Sequence, residues 1–350
     1  MKSQTRAVAV WIGIGLFMLI VQVILGGITR LTGSGLSITE WNVITGALPP
    51  LNEHDWTVEF EKYQQTPQYQ LLNNEFTLRD FKFIYFWEWL HRVWARTIGI
   101  VFIVGFVYLF IRRALHREMI QPLLTLFLLG ALQGAVGWIM VASGLTGDAV
   151  YVKPTRLALH FVFAIGLIAY TLWVLMVLTV PRTAVVSANK IRGLTTTILL
   201  LTTVQLILGA LMAGHRAATA APTWPDINGA WFPESLFRDV PMVLNFIENK
   251  ITIHFFHRNL AYLIFVLTAL LTVRLYRLRS SGNIFNISKA TPIALVGVQI
   301  VLGILSLLTS TGIQPNRWGS FEWFAQLHQI VGMLFTLSLV AILYLVRRKQ

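Results

Sequence analysis

Four histidines, His91, His160, His257 and His328, stand near one end of four strongly apolar stretches, where a neutral imidazole can serve as a metal ligand. Each is preceded by another apolar stretch in which glutamine is followed four residues later by glycine: Gln22–Gly26, Gln133–Gly137, Gln205–Gly209 and Gln299–Gly303. The Gln-to-His separations run 69, 27, 52 and 29 residues, the alternation of a unit duplicated in tandem. The offsets agree, with 166 residues from His91 to His257, 168 from His160 to His328 and 166 from Gln133 to Gln299. His91-Arg92 recurs as His257-Arg258. Glu88 lies three residues before His91, on the same helical face, and the corresponding place in the second unit is His254. The carboxylate therefore belongs to one half only.

A single histidine inside a membrane is more often a helix–helix hydrogen-bonding group than a ligand. Four at one depth, two per unit, favour ligation, because facing helices of a bundle build cofactor sites and two imidazoles supply both axial bonds of one haem. Zinc or copper would want a third or fourth donor that the spacing does not provide. The chain has no cysteine, so a thiolate site, a disulfide and covalent haem attachment are all excluded. Glutamine and glycine one turn apart read as packing, the glycine admitting a close helix and the amide bonding across it. Arg92 and Arg258 have two readings, snorkelling to lipid headgroups or charge-assisted bonds to haem propionates. His254 shares a face with His257 and is a candidate supporting group. Glu88 is either a first-turn acid favoured by the helix dipole, or a base or fixed negative charge beside a cationic intermediate. His54 and His116 read as solvated loop residues, and His215 follows the fifth span without an assigned role.

These residues need membrane helices to position them. Of 350 residues, 55% are apolar and 12% charged, with a mean hydropathy of +0.65, which excludes an ordinary soluble domain. Eight spans are expected, at 7–27, 84–111, 119–141, 157–180, 193–213, 251–275, 290–310 and 323–346. The repeat divides them into two tandem four-helix bundles, 1–182 and 183–350, related by a pseudo-two-fold axis near the membrane normal. With the N-terminus inside, the inner segments hold fifteen cations and the single acid Glu118, so the positive-inside rule puts both termini in the cytoplasm and the long loops outside. The net charge of +13 then reports topology rather than nucleic-acid binding. The first span is too long for a signal peptide core and lacks a cleavage site, so it is expected to be retained; without a transit segment, a bacterial inner membrane is the expected location. The loop from 28 to 83 is too long for a plain connection. Its segment "TRLTGSGLSITEW" is expected to fold over the first bundle as a lid, with Gly33 and Gly35 permitting a tight turn.

The segments "GGITRLTGSGLSITEW", "EWLHRVWAR", "LQGAVGWIMVASGL", "TRLALHF", "FFHRNLAY" and "QLHQIVG" together resemble the haem A synthase family, in its cysteine-free branch, over nearly the whole chain. The resemblance implies an oxidoreductase that converts a methyl group of haem O, a farnesyl-bearing haem, to the formyl group of haem A for terminal oxidase assembly. It implies two successive hydroxylations with water as oxygen source. It further implies that His257 and His328 ligate a resident haem b, that His91 and His160 flank the substrate haem, and that Glu88 is the essential acid. The implied partners are the haem O synthase that delivers substrate, an electron acceptor with quinone as candidate, and the lipid bilayer; self-association is left open. Two other classes remain from the residues alone. A quinol-linked di-haem b cytochrome would also pair histidines but has no need of Glu88, and a haem transporter would favour broken helices at the midplane.

Overall fold

The computed structural model describes residues 3–40, 48–278, 283–314 and 317–347. Eight long helices cross the molecule: α1 (Ser3–Leu31), α4 (Leu78–Ile111), α5 (Arg117–Ala142), α6 (Pro154–Thr179), α7 (Asn189–Gly214), α8 (Lys250–Tyr276), α10 (Thr291–Leu308) and α11 (Ser320–Leu345). Three short ones lie between them, α2 (Glu53–Gln64), α3 (Pro67–Leu72) and α9 (Asn283–Ser288). No strand occurs among the described residues. Each long helix is long and apolar enough to span a bilayer, so the chain is a multi-pass membrane protein of all-α class. Every expected span is a single unbroken helix, and the differences lie at the ends. Lys2, Trp41, Arg279, Arg348 and Lys349, which enter the topology and lid expectations, lie outside the described residues.

Capping explains the longest overrun. α4 begins six residues before its apolar run because Thr77 and Asp80 form a capping box: Thr77 N and Oγ1 donate to Asp80 Oδ2 at 2.9 and 2.6 Å. The extra turns lift α4 beyond its apolar segment and give α2 and α3 a surface. Tyr63, Phe81, Ile84 and Tyr85 bury one another there, with Phe60 and Trp56 against them. Asn52 caps α2, and Thr66 with Pro67 starts α3.

α11 is central, with half of its most apolar stretch buried, whereas α4 is peripheral with 6% buried. α11 packs against α10, α6, α7 and α1; α1 packs against α4 and α6; and α8 packs against α7 and α10. The equivalent contact in the first half is looser: α5 packs on α6, and it meets α4 through side chains, with Phe102 stacked on Phe127 at 6.2 Å between ring centres. Side-chain amides lace α11 to α1: Gln326 Nε2 donates to Ile24 O at 3.1 Å and Gln329 Nε2 to Val23 O at 2.9 Å. Gly27 faces those two amides, where a Cβ would collide with both.

Candidate functional site

A single cavity of about 1170 Å³ runs through the histidine end of the helices, larger than the ~300–1,000 Å³ usual for one small ligand. His91 on α4, His160 on α6, His257 on α8 and His328 on α11 all line it, together with Glu88. The four glutamine–glycine pairs, expected to serve helix packing, pack directly on these four imidazoles. Gln133 Nε2 lies 3.1 Å from His160 Nδ1, Gln205 Nε2 is 3.3 Å from His257 Nε2, and Gln299 Nε2 is 3.1 Å from His328 Nε2. Gln22, Gln133 and Gln205 also donate to the backbone carbonyls of His91, His160 and His257, at 3.2, 3.1 and 2.9 Å. The glycine then clears room for the ring. A Cβ at Gly26 would lie 3.2 Å from His91 Nε2, and one at Gly137, Gly209 or Gly303 would lie 2.9, 3.1 or 2.9 Å from Cε1 of His160, His257 or His328. Each imidazole thus sits in a cradle that any larger residue would fill.

The donor set suits haem. His257 and His328 have ring centres 6.3 Å apart. Two imidazoles on opposite sides of one first-row metal ion, with bonds of about 2 Å, place their ring centres roughly 6 Å apart. His328 Nδ1 lies 3.0 Å from Gln299 O, a contact that fixes the tautomer with its lone pair on Nε2, the form that ligates metal. His257 Nδ1 and the Oε1 atoms of Gln22, Gln133, Gln205 and Gln299 are buried without partners, polar groups for which a ligand or water would be the natural complement. No group of three or more His, Cys, Asp or Glu suited to a metal occurs among the described residues, so a closed zinc-type site is absent there.

Glu88 is 2% exposed and engaged on both oxygens. Oε2 accepts from Ser37 Oγ at 2.7 Å and from Ile38 N at 2.9 Å, and Oε1 pairs with Arg92 one turn on. A carboxylate has about four lone-pair sites, so one remains for a further donor. Ser37 and Ile38 belong to the segment expected to act as a lid, and the structure puts 34–40 against the head of α4. Gly33 makes the turn there with φ +68°, while Gly35 has no positive φ and needs none. Gln68 of α3 braces the turn, its Nε2 donating to Gly33 O at 3.5 Å and to Val150 O at 3.3 Å, and Tyr63 Oη donates to Gln68 Oε1 at 3.0 Å. Burial pushes the Tyr63 phenol up to about 12, so it stays protonated as that donor.

The two arginines each bind backbone carbonyls of a connecting segment. Arg92 donates to Ile38 O and Glu40 O, both at 3.2 Å, besides pairing with Glu88. Arg258 donates to His254 Nε2 at 3.0 Å and to the carbonyls of Asp226, Thr223 and Ala221 at 2.7, 2.7 and 3.2 Å. Each guanidinium holds a connecting segment to its helix. The 88–92 and 254–258 pairs are equivalent in the repeat, an acid in one half and an imidazole in the other. His215 is tied to its own loop, with Nε2 2.7 Å from Ile247 O, and His54 and His116 are exposed. Sequence reasoning missed Ser37, the backbone N–H of Ile38 and the Gln326–Gln329 lacing; no spacing signal announces any of them.

Fold and site define a class: a polytopic helical membrane protein that buries four cradled imidazoles along one shared cavity. Within that class the family is shown by comparison. A family model described as cytochrome oxidase assembly protein, COX15-CtaA, matches residues 9–340, and the chain belongs to that family. It is similar to the haem A synthase of Rhodospirillum centenum, 41% identical over 99% of this chain and 90% of that protein. It is also similar to those of Methylorubrum extorquens, 40% over 93% and 83%, and Bradyrhizobium diazoefficiens, 42% over 88% and 85%.

Proposed function

We propose that this chain is a haem A synthase, an oxidoreductase that converts one methyl group of haem O to a formyl group. The observation that carries the proposal is the pairing of four cradled histidines in one cavity with a buried carboxylate beside only one pair. The family membership and the names of the relatives support the same reaction. In this reading residues 1–182 form the substrate half, with His91 and His160 flanking haem O, and residues 183–350 form the resident half, with His257 and His328 holding haem b. Haem b supplies a one-electron relay. His91 and His160 would hold the substrate haem from its two faces, and water is the oxygen source in this reading.

The first hydroxylation takes the methyl and one water to an alcohol, releasing two protons and two electrons. The second takes the alcohol and another water to a geminal diol, with the same release, and the diol loses water to the aldehyde. Glu88, with one acceptor site left on Oε1, is suited to take a proton from the attacking water, or to stand as the fixed negative charge opposite a developing cation. The electrons pass to an acceptor of quinone class in the bilayer, and haem O arrives from its own synthase. The surrounding membrane is the bacterial inner membrane, with both termini cytoplasmic. Haem extraction and mass analysis of protein purified from cells that make haem O test the proposal. Hydroxylated and formylated farnesyl haem beside haem b is the expected result; haem b alone would replace the synthase by an electron-transfer cytochrome.

A further inference from the structure

The backbones of α8 and α10 approach closely beside the cavity, whereas those of α4 and α5 stand further apart and meet through side chains. The 166-residue offset accounts for the difference in residues. Gly99, Gly130 and Gly134 line the cavity in the first half, and their counterparts are Phe265, Val296 and Ile300. Ala95 and Ala131 correspond to Ala261 and Gly297, and Phe265 is exposed, so the contrast rests on Gly130 and Gly134. Val296 is 3% exposed, while Gly130 is exposed. A Cβ built on Gly99, Gly130 or Gly134 meets nothing within 4 Å. These glycines therefore do not serve close helix packing, the usual reason for glycine inside a membrane.

The gap has a definite place. Gly99 lies two turns beyond His91 on α4, and Gly130 lies two turns before Gly137, the cradle of His160, on the antiparallel α5. Both are about 11–12 Å from the histidine level, at the helical rise of 1.5 Å per residue. Its walls are apolar, and Phe102 and Phe127 close it one turn beyond Gly99 and Gly130, their rings stacked across the two helices with centres 6.2 Å apart. At the histidine end of the gap the Oε1 of Gln133 is buried without a partner.

We propose that this slot is the binding site of the isoprenoid chain of the substrate haem, and that it makes the first half select a farnesylated haem over haem b. The inference rests on the proposed assignment of His91 and His160 to the substrate. The porphyrin sits between those histidines, and its chain enters between α4 and α5 above the Phe102–Phe127 pair and leaves sideways to lipid past Gly99 and Gly130. The second half narrows the same space with Val296 and Ile300 and takes a haem that has no chain.

Grafting the second-half residues into the first tests this, since Gly130→Val and Gly134→Ile enter open space and leave the fold intact. Purified protein carrying resident haem b, in nanodiscs, is titrated with haem O and separately with haem b, following the visible spectrum of the added haem. The wild type should bind haem O more tightly. The double variant should lose haem O affinity by about tenfold or more, the loss of a few methylene contacts, with added haem b affinity and the resident spectrum unchanged. Equal affinities in the wild type, or an unchanged or equally lowered pair in the variant, would overturn the slot and leave it a resting place for lipid acyl chains. A wild type that binds neither haem while retaining its resident one would instead overturn the assignment of His91 and His160, and the slot with it.

Discussion

Glu88 carries three hydrogen bonds before any substrate arrives, and that shapes what its removal would do. Its pair with Arg92 is buried, with side-chain exposures of 3% and 9%. Removing one partner of a buried pair costs about 3–5 kcal/mol, because the other charge is left uncompensated. Glu88→Ala therefore mixes a local structural loss with any chemical one. Glu88→Gln keeps the size and an oxygen for Ser37 and Ile38, and loses the charge and the base. It is expected to keep the haem b spectrum and haem O binding while turnover falls by about 10²–10⁴-fold, the range of general acid–base groups. Turnover near wild type would contradict both roles assigned to the carboxylate. Ser37→Ala is the control: it removes one neutral donor and is expected to change turnover far less than Glu88→Gln.

At the scale of elements, the segment 34–40 is held by contacts that alternate between side chains and backbone. Arg92 grips two of its carbonyls and Glu88 one of its amides and Ser37, so the lid is fastened by a single turn of α4. Arg92→Ala is expected to expose this segment to added protease in membranes of opened cells, with wild-type protein resistant there; equal cleavage of the two would sink the idea of a fastened lid. Much of this architecture was legible in the sequence. The eight helices followed from apolar runs, and the His-Arg repeat put matching residues at matching heights. The glutamine–glycine pairs were visible, but their purpose was not, because a spacing of four fixes a helical face without saying which neighbour it meets. Only the packed structure shows an imidazole over each glycine. The arginines' partners were hidden for a related reason: carbonyls of Ile38, Glu40, Thr223 and Asp226 have no side-chain identity to read. Ser37 was hidden by length, since fifty-one residues separate it from Glu88.

Over the whole molecule the duplication has been turned to unequal use. Beside His257 and His328 the backbones of α8 and α10 pack closely, and beside His91 and His160 those of α4 and α5 are further apart, with the acid at the head of α4. α11 joins them, since the helix that carries His328 is laced through Gln326 and Gln329 to α1, whose Gln22 holds the backbone of His91. In the proposed reading, such an arrangement would set a resident redox group and an exchangeable substrate at fixed separation. The division of labour between the halves is the central claim, and absorption spectroscopy of protein made in cells that supply haem b but no haem O tests it most directly. The wild type is expected to hold one low-spin bis-histidine haem b per chain. His257→Ala and His328→Ala should each abolish that spectrum, and His91→Ala and His160→Ala should each retain it. Loss of the haem on changing His91 or His160, with retention in the His257 and His328 variants, would contradict the assignment.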